Sequence, residues 1–456
     1  MTVVNLAQAT LRLESAGGVT APETRGVGSV VLPSLPLARD VDGRPTVPAT
    51  SIAGSLRQAV APADRDGLFG HVTYTSPEKT RTAVSRLWVL GTRVTPSALT
   101  TERRRTAVDR HRAAAAAGAL FDREALPAGS TIEVWLRLDD TPDQRGDIAI
   151  DDLLSRWRPR IGAGRSTGLG RAVVTQVRHV RLDLSDDGDL LRWLTTGGPA
   201  LFDDVAPTPV TATDDDQRLF ADEKFDGLLT FVVTDALHIG SGRRQNDDEG
   251  PRTALILRDG NQPIVPGSTW KGVLRSRVEL VLRSVGSFGV CSSVSADGPC
   301  GTCPVCETFG WTARDLGDRT VVGARSRLAF LDSSVTGATV RTRNHVAIDR
   351  VFGGASRGLL FSEEVVVSGQ VTCDLRWDGS FDAPPDGGPL GLDPLVRDAL
   401  VLAFQDLAEG IAGIGAGTTR GNGTLTPDPL TARWLDREAP AARARLREAV
   451  DALEDV

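Results

Sequence analysis

No stretch of this 456-residue chain approaches the ~20 consecutive apolar residues that span a bilayer, so a soluble protein is expected. The N-terminus, MTVVNLAQATLRLES, alternates apolar and polar residues like a strand. It lacks the basic flank, apolar core and small-residue cleavage site of a signal peptide, which predicts a cytoplasmic location where disulfides do not form. Histidine is scarce. None of His71, His111, His179, His238 and His345 sits beside an obvious catalytic partner in the sequence, which weighs against paired imidazole acid–base chemistry. No GxxxxGK[ST] stretch is present, which argues against a P-loop enzyme. Net charge is −7 and the pI is near 5.4, which excludes a binder that relies on an overall positive surface. Local basic patches are still available: arginine greatly outnumbers lysine, and ERRRTAVDRHR (102–112) and GSGRRQ (240–245) are arginine-rich.

What is present is unevenly placed. Four of the five cysteines fall close together, as Cys291, Cys300, Cys303 and Cys306. In a reducing compartment such spacing reads as a metal site, since a tight turn can converge the thiolates that tetrahedral zinc requires. Structural zinc is the favoured occupant and an iron–sulfur cluster is the rival. A closed four-cysteine site has no open coordination position, so it would hold a local fold together without activating water. Cys373, in the apolar strand VTCDLRW, reads as a core thiol.

The length favours two units, and an internal repeat supports that division. Four segments recur in the same order. LPLARDVDGRPTVPATSIAGSLRQAV (35–60) matches LILRDGNQPIVPGSTWKGVLRSRVEL (255–280), each with a Val-Pro step and then a helix. LFGHVTYTSPEKTRTAVSRLWVL (68–90) matches TFGWTARDLGDRTVVGARSRLAFL (308–331), each passing from Phe-Gly into a strand. A third pair aligns Asp109-Arg110 with Asp349-Arg350 and Phe121 with Phe361. In the fourth, Gly162, Gly164, Gly168 and Gly170 match Gly415, Gly417, Gly421 and Gly423 at identical spacing. That GxGxxxGxG pattern is not the dinucleotide fingerprint, and a helical pattern precedes the second copy where a strand should. Such a loop can still bring backbone amides against a phosphate or sugar; a tight turn without a ligand is the bland alternative. The expected units are 1–194, a linker at 195–222, 223–430 with the cysteine knuckle 291–306 inserted, and a C-terminal helix at 431–456.

These residues carry a resemblance. The run LHIGSG, LILRDGNQPIVPGSTWKGVLRS, the knuckle ending in Phe-Gly, AIDR, FSEEVV and GIGAG with GNG resembles the RAMP superfamily (repeat-associated mysterious proteins), and most of all the backbone subunit of type III CRISPR effector complexes. It implies an α+β fold of two tandem modified ferredoxin-like, or RRM-like, domains, the second with an inserted zinc knuckle. It also implies CRISPR RNA, target RNA and other effector subunits as partners. The helix that opens at Gly267-Ser268-Thr269 would offer its free amides, with Ser268, Lys271 and Arg275, to a guide phosphate. Gly162, Gly164, Arg165 and Gly168 in one loop, and Gly415, Gly417, Arg420 and Gly421 in the other, would lie along the RNA backbone. The Asp-Arg segments would begin a hairpin reaching over the guide. The chain has a single tyrosine and no aromatic stripe, so backbone recognition fits better than base readout.

The resemblance also bears on cleavage of target RNA. The family's catalytic aspartate position falls on Thr253 here, with Asp247 and Asp248 the nearest acids apart from Glu249, and His238 at the strand end. Asp247 and Asp248, with His238, are therefore the candidate catalytic residues, with magnesium or manganese as the accompanying ion. The first copy departs further: Ser34 takes the aspartate position and Ala53 replaces Lys271, so it is expected to bind without cutting. The competing readings are a stand-alone CRISPR RNA-processing endoribonuclease of the same superfamily and a non-catalytic zinc-stabilised protein scaffold.

Overall fold

The protein is described from a computed structural model. The described residues are 3–21, 34–76, 79–106, 108–109, 114–115, 120–140, 149–210, 218–245, 252–286, 288–291, 298–314, 321–377 and 392–454. The chain divides into two compact units, one comprising 1–105, 120–165 and 169–214, the other 106–119, 166–168 and 215–456.

In the first unit Val3–Leu13 runs through the middle of an antiparallel sheet. It pairs with Thr131–Asp140 on one side and Ala172–Asp183 on the other; Leu87–Thr95 adds beyond Thr131–Asp140. The central position explains the apolar run at the start of the chain: every residue from Val3 to Ala9 is buried, as in a strand covered on both faces. The helices Ala49–Gln58 and Ile150–Arg156 cover one face, where Ile52, Leu56, Leu153 and Leu154 meet Leu11, Ile132 and Val134. On the other face Val4, Leu6 and Leu182 pack with Leu201 and Phe202. In chain order this is strand, helix, two strands, helix, strand, with the last and third strands flanking the first.

The second unit has the same connection order. Leu228–Val233 lies between Leu425–Pro427 and the long strand Ala355–Trp377, which pairs in turn with Ser333–Ile348. The helix Gly267–Val285 joins the first strand to the second, and Pro394–Ala408 joins the third to the fourth. Trp270, Leu274, Val278 and Leu282 mark one stripe of the first helix, at helical spacing, and enter a core with Phe231, Phe330 and Phe404. Each such side chain, fully buried, contributes about 1.5–3 kcal/mol. The C-terminal helix Pro429–Glu454 follows the fourth strand directly and closes this core with Trp434, Leu435 and Leu446. Its Arg445 clamps the buried Asp398 of Pro394–Ala408 through bonds of 2.8 and 2.6 Å.

The repeat extends to individual hydrogen bonds. Both Phe-Gly steps end a short helix, Pro62–Phe69 and Pro304–Phe309, and lead into hairpins. Ser85 Oγ donates to the carbonyls of Leu68 and Leu87, and Ser326 Oγ donates to those of Thr308 and Leu328, which are the matching positions. The stretch 195–222 differs from the linker expected there, because both units use it. Leu201 and Phe202 are buried in the first unit and Thr208–Pro209 pairs with Ala172–Asp183, while Leu219 and Phe220 enter the core of the second. Apolar residues spaced among the glycines and prolines account for the difference.

Candidate metal centre and nucleic-acid interface

The cysteine knuckle closes as its spacing predicts. The Sγ atoms of Cys291, Cys300, Cys303 and Cys306 all lie within 4.8 Å of one another. Cys291 Sγ stands 3.7 Å from Cys303 Sγ and 3.5 Å from Cys306 Sγ. A tetrahedral zinc with bonds near 2.3 Å requires sulfurs roughly 3.8 Å apart, so these residues fit the ion. The turn supplies N–H groups to the sulfurs: Cys303 N–H donates to Cys300 Sγ at 3.3 Å and Cys306 N–H to Cys303 Sγ at 3.4 Å. Burial pushes the exposed-edge thiol Cys300 up, but the backbone N–H groups of Thr302 and Cys303 outweigh it and bring it down to about 6. Burial pushes Cys291 and Cys306 the other way, the latter up to about 12.

The helix Gly267–Val285 is tied to this knuckle. Arg275 Nε donates to Glu279 Oε1 at 2.9 Å, Nη1 to the Gly310 carbonyl at 2.7 Å, and Nη2 reaches Cys306 Sγ at 3.8 Å. Glu279 is buried, 1% exposed. Arg275, expected to face a guide phosphate, therefore has its donors turned toward the protein, one of them toward a knuckle sulfur. The start of the same helix is also engaged. Gly267 N–H donates to Asp332 Oδ1 at 2.9 Å, which takes the first of the amides expected to be free, while Ser268 keeps partial exposure. Lys271 Nζ donates to Ser166 Oγ at 3.0 Å, Ser166–Gly168 being part of this unit. Its side chain retains some exposed surface, yet burial of the ammonium group, reinforced by the charge of Arg275, pushes its pKa down to about 7.

The two glycine loops share a conformation. All eight matched glycines have positive φ, and each loop holds a short 3-10 turn, Arg165–Thr167 or Thr418–Arg420. The reason lies in close backbone approach. A Cβ on Gly415 would sit 2.6 Å from the His238 carbonyl oxygen, and one on Gly162 would collide with that of Gly18. Gly423 N–H donates to the Ala236 carbonyl and Gly170 N–H to that of Ala16, so each loop is stitched to the end of its unit's first strand. In the first loop Arg165 Nη1 donates to Gln58 Oε1 at 2.6 Å; Gly164 and Gly168 lie on either side of that turn. In the second, Arg420 is half exposed, and Gly417 and Gly421 flank its turn.

His238, between the strands Leu228–Val233 and Gly240–Gln245, is buried, and its Nδ1 is 2.6 Å from the Glu364 carbonyl oxygen. Asp247 and Asp248 lie outside the described residues. Thr253, where the aspartate position falls, is 8% exposed and pairs with Ser362 inside the sheet, so this site points into the fold and away from a loop. Among the hairpin residues, Asp349 Oδ1 caps the tip by accepting from the N–H groups of Val351 and Phe352; these bonds hold its carboxyl below the usual range. The side chain of Asp109 and all of Arg110 lie outside the described residues.

Two acids missing from the sequence-based candidates organise this region. Glu364 accepts from both Arg258 Nη1 and Nη2, at 2.8 and 3.0 Å, and from Ile256 N–H at 3.1 Å. Its neighbour Glu363, on the other face of the strand, binds His345 Nε2 at 2.9 Å and Asn422 Nδ2 at 3.2 Å. The adjacent pair in FSEEVV, an apolar-flanked double acid inside a strand, was the signal available, since one of the two must turn inward.

A family model described as the RAMP superfamily matches residues 17–173 and 230–426, one match over each copy of the repeat. No curated protein matches the chain. No helix among the described residues is long and apolar enough to cross a membrane.

Proposed function

The chain belongs to the RAMP superfamily, which is associated with CRISPR-related RNA-binding proteins, and from that we propose that it is a guide-holding backbone subunit of a type III CRISPR effector ribonucleoprotein. The observation that carries this reading is the duplication. Two units with one connection order each carry, just before the fourth strand, a positive-φ glycine loop fastened to the end of the first strand. The strand order is that of a ferredoxin-like domain, last and third strands flanking the first, and a backbone subunit of this kind repeats one RNA-contacting surface along its guide. Exposed arginines and glycine turns suit contact with phosphates and sugars; pairing by the guide then supplies specificity. The cysteine knuckle is a structural zinc site, in which the ion, when bound, cross-links the turn between Gly267–Val285 and the following hairpin.

Cleavage of paired target RNA belongs to the second unit. Asp247 and Asp248 follow the strand Gly240–Gln245, and a carboxylate pair there would hold the magnesium or manganese ion. His238 acts by position: its ring, bonded to the Glu364 carbonyl, fixes the start of the strand that leads to these acids. The test has two arms. Tagged protein purified from its host with its partners should carry short RNAs of uniform 5′ end; protein free of RNA at low salt overturns the backbone reading in favour of a protein scaffold. Asp247→Asn with Asp248→Asn should abolish target cleavage by the assembled complex while leaving the guide bound. Undiminished cleavage removes these acids from the mechanism.

A further inference from the structure

The long hairpin, a few residues back from its tip, carries an arrangement that the phosphate-contacting reading does not use. The rings of His345 and Phe361, on paired strands, stack with centroids 4.9 Å apart and planes 16° apart. Phe361 is 43% exposed although its strand neighbours Ser362 and Glu363 are buried. It continues an exposed apolar run with Leu359 and Leu360, and a contiguous apolar patch of this kind marks a contact surface. The imidazole is held from beneath: Glu363, with its side chain 7% exposed, accepts from His345 Nε2 and from Asn422 Nδ2 of the glycine loop. A buried carboxylate is costly to desolvate, and here it has the evident effect of fixing one ring and one loop in register. His345 Nδ1 has no partner among the described residues. Arg420, on the 3-10 turn of the same loop, has a side chain 54% exposed and approaches Glu363 Oε2 only at 3.9 Å, so its guanidinium is available to a phosphate. Arg341 and Arg343 precede His345 at alternate positions of the strand; Arg343 is paired with Asp235 at 2.9 Å.

We infer that this cluster is a nucleotide seat for single-stranded RNA: one base stacks on the Phe361–His345 pair, His345 Nδ1 bonds the ribose or base edge, and Arg420 takes the adjoining phosphate. The inference rests on the RNA-binding reading above and adds to it a base contact. Every base has a π-face, so the seat is indifferent to sequence, which suits a subunit that accepts guides of any spacer.

The experiment uses the full chain and single-stranded RNA of mixed sequence carrying 2-aminopurine at successive positions. With wild-type protein, fluorescence falls at the seated position. Phe361→Ala should abolish that quenching and weaken binding by about 5- to 150-fold, the range for loss of one base–aromatic stack. Phe361→Trp should restore both. Arg420→Gln should weaken binding evenly across sequences and lower the salt slope by about one. Thermal melts identify a variant that fails to fold. For such a case Phe361→Trp decides, because a folded tryptophan variant that neither quenches nor binds overturns the seat. Binding and quenching unchanged in Phe361→Ala also overturn it while leaving the RNA-binding reading standing. A wild-type protein that binds no RNA defeats that reading itself.

Discussion

Arg275→Gln is the substitution that separates the metal-bracing role of this residue from phosphate contact. In the wild-type protein the guanidinium is 13% exposed, pairs at 2.9 Å with a Glu279 side chain that is 1% exposed, and also holds the Gly310 carbonyl and Cys306 Sγ. Removing one member of a buried ion pair costs about 3–5 kcal/mol, because the other charge remains in a poor medium. For a unit of this size that corresponds to a fall in melting temperature of roughly 6–20 °C. A zinc ion with four thiolates leaves two negative charges in excess, and the Arg275 guanidinium stands 3.8 Å from one of the sulfurs. Loss of such an outer contact lowers metal affinity by about 10- to 100-fold. The assay is differential scanning calorimetry together with competition against a chromogenic chelator, with Cys303→Ser as the metal-free reference. Adding Glu279→Gln should recover much of the melting temperature, since the uncompensated carboxylate is gone, but not the metal affinity. An Arg275→Gln protein that melts with the wild type and holds zinc as tightly refutes the argument.

Two further outcomes follow from the geometry. Gly415→Ala, at φ 91° and with its Cβ 2.6 Å from the His238 carbonyl, should destabilise clearly more than Gly410→Ala, at φ 73° with only Thr424 Cγ2 at 3.6 Å. The left-handed strain of about 1–3 kcal/mol is common to both, so equal urea midpoints would show that close approach is not what the loop requires. Burial pushes the Glu364 carboxyl up, but the paired bonds from Arg258 and the N–H of Ile256 win and hold it below its usual value. A carboxyl lowered on folding stabilises above its unfolded pKa, so the contribution should be full above about pH 5 and fade as pH falls through the lowered value. Urea melts of wild type and Glu364→Gln should therefore differ at neutral pH and converge in acid; a constant gap counts against the ion pair.

The parts legible beforehand were those in which local sequence dictates geometry. Cysteines at three-residue spacing must meet in one turn, and four glycines repeated at one spacing in both copies mark backbone that a side chain would obstruct. Phe309-Gly310 and Phe69-Gly70 likewise announced matching junctions. The tasks of Lys271 and Arg275 were not legible, because a cation at a helix start looks the same whether it faces solvent or a buried acid. Arg275 and Glu279 are one helical turn apart and could be paired on paper, yet the Gly310 carbonyl that completes the clamp lies 35 residues on.

The sequence by itself determined the duplication, the four-cysteine knuckle and the two glycine loops, since each depends on residue type and short spacing alone. Only the tertiary structure decided that Glu363 faces His345 and Asn422, 18 and 59 residues away, while Glu364 faces Arg258, 106 residues away. Alternation along a strand says that neighbouring side chains part to opposite faces, but register and packing choose what each one meets.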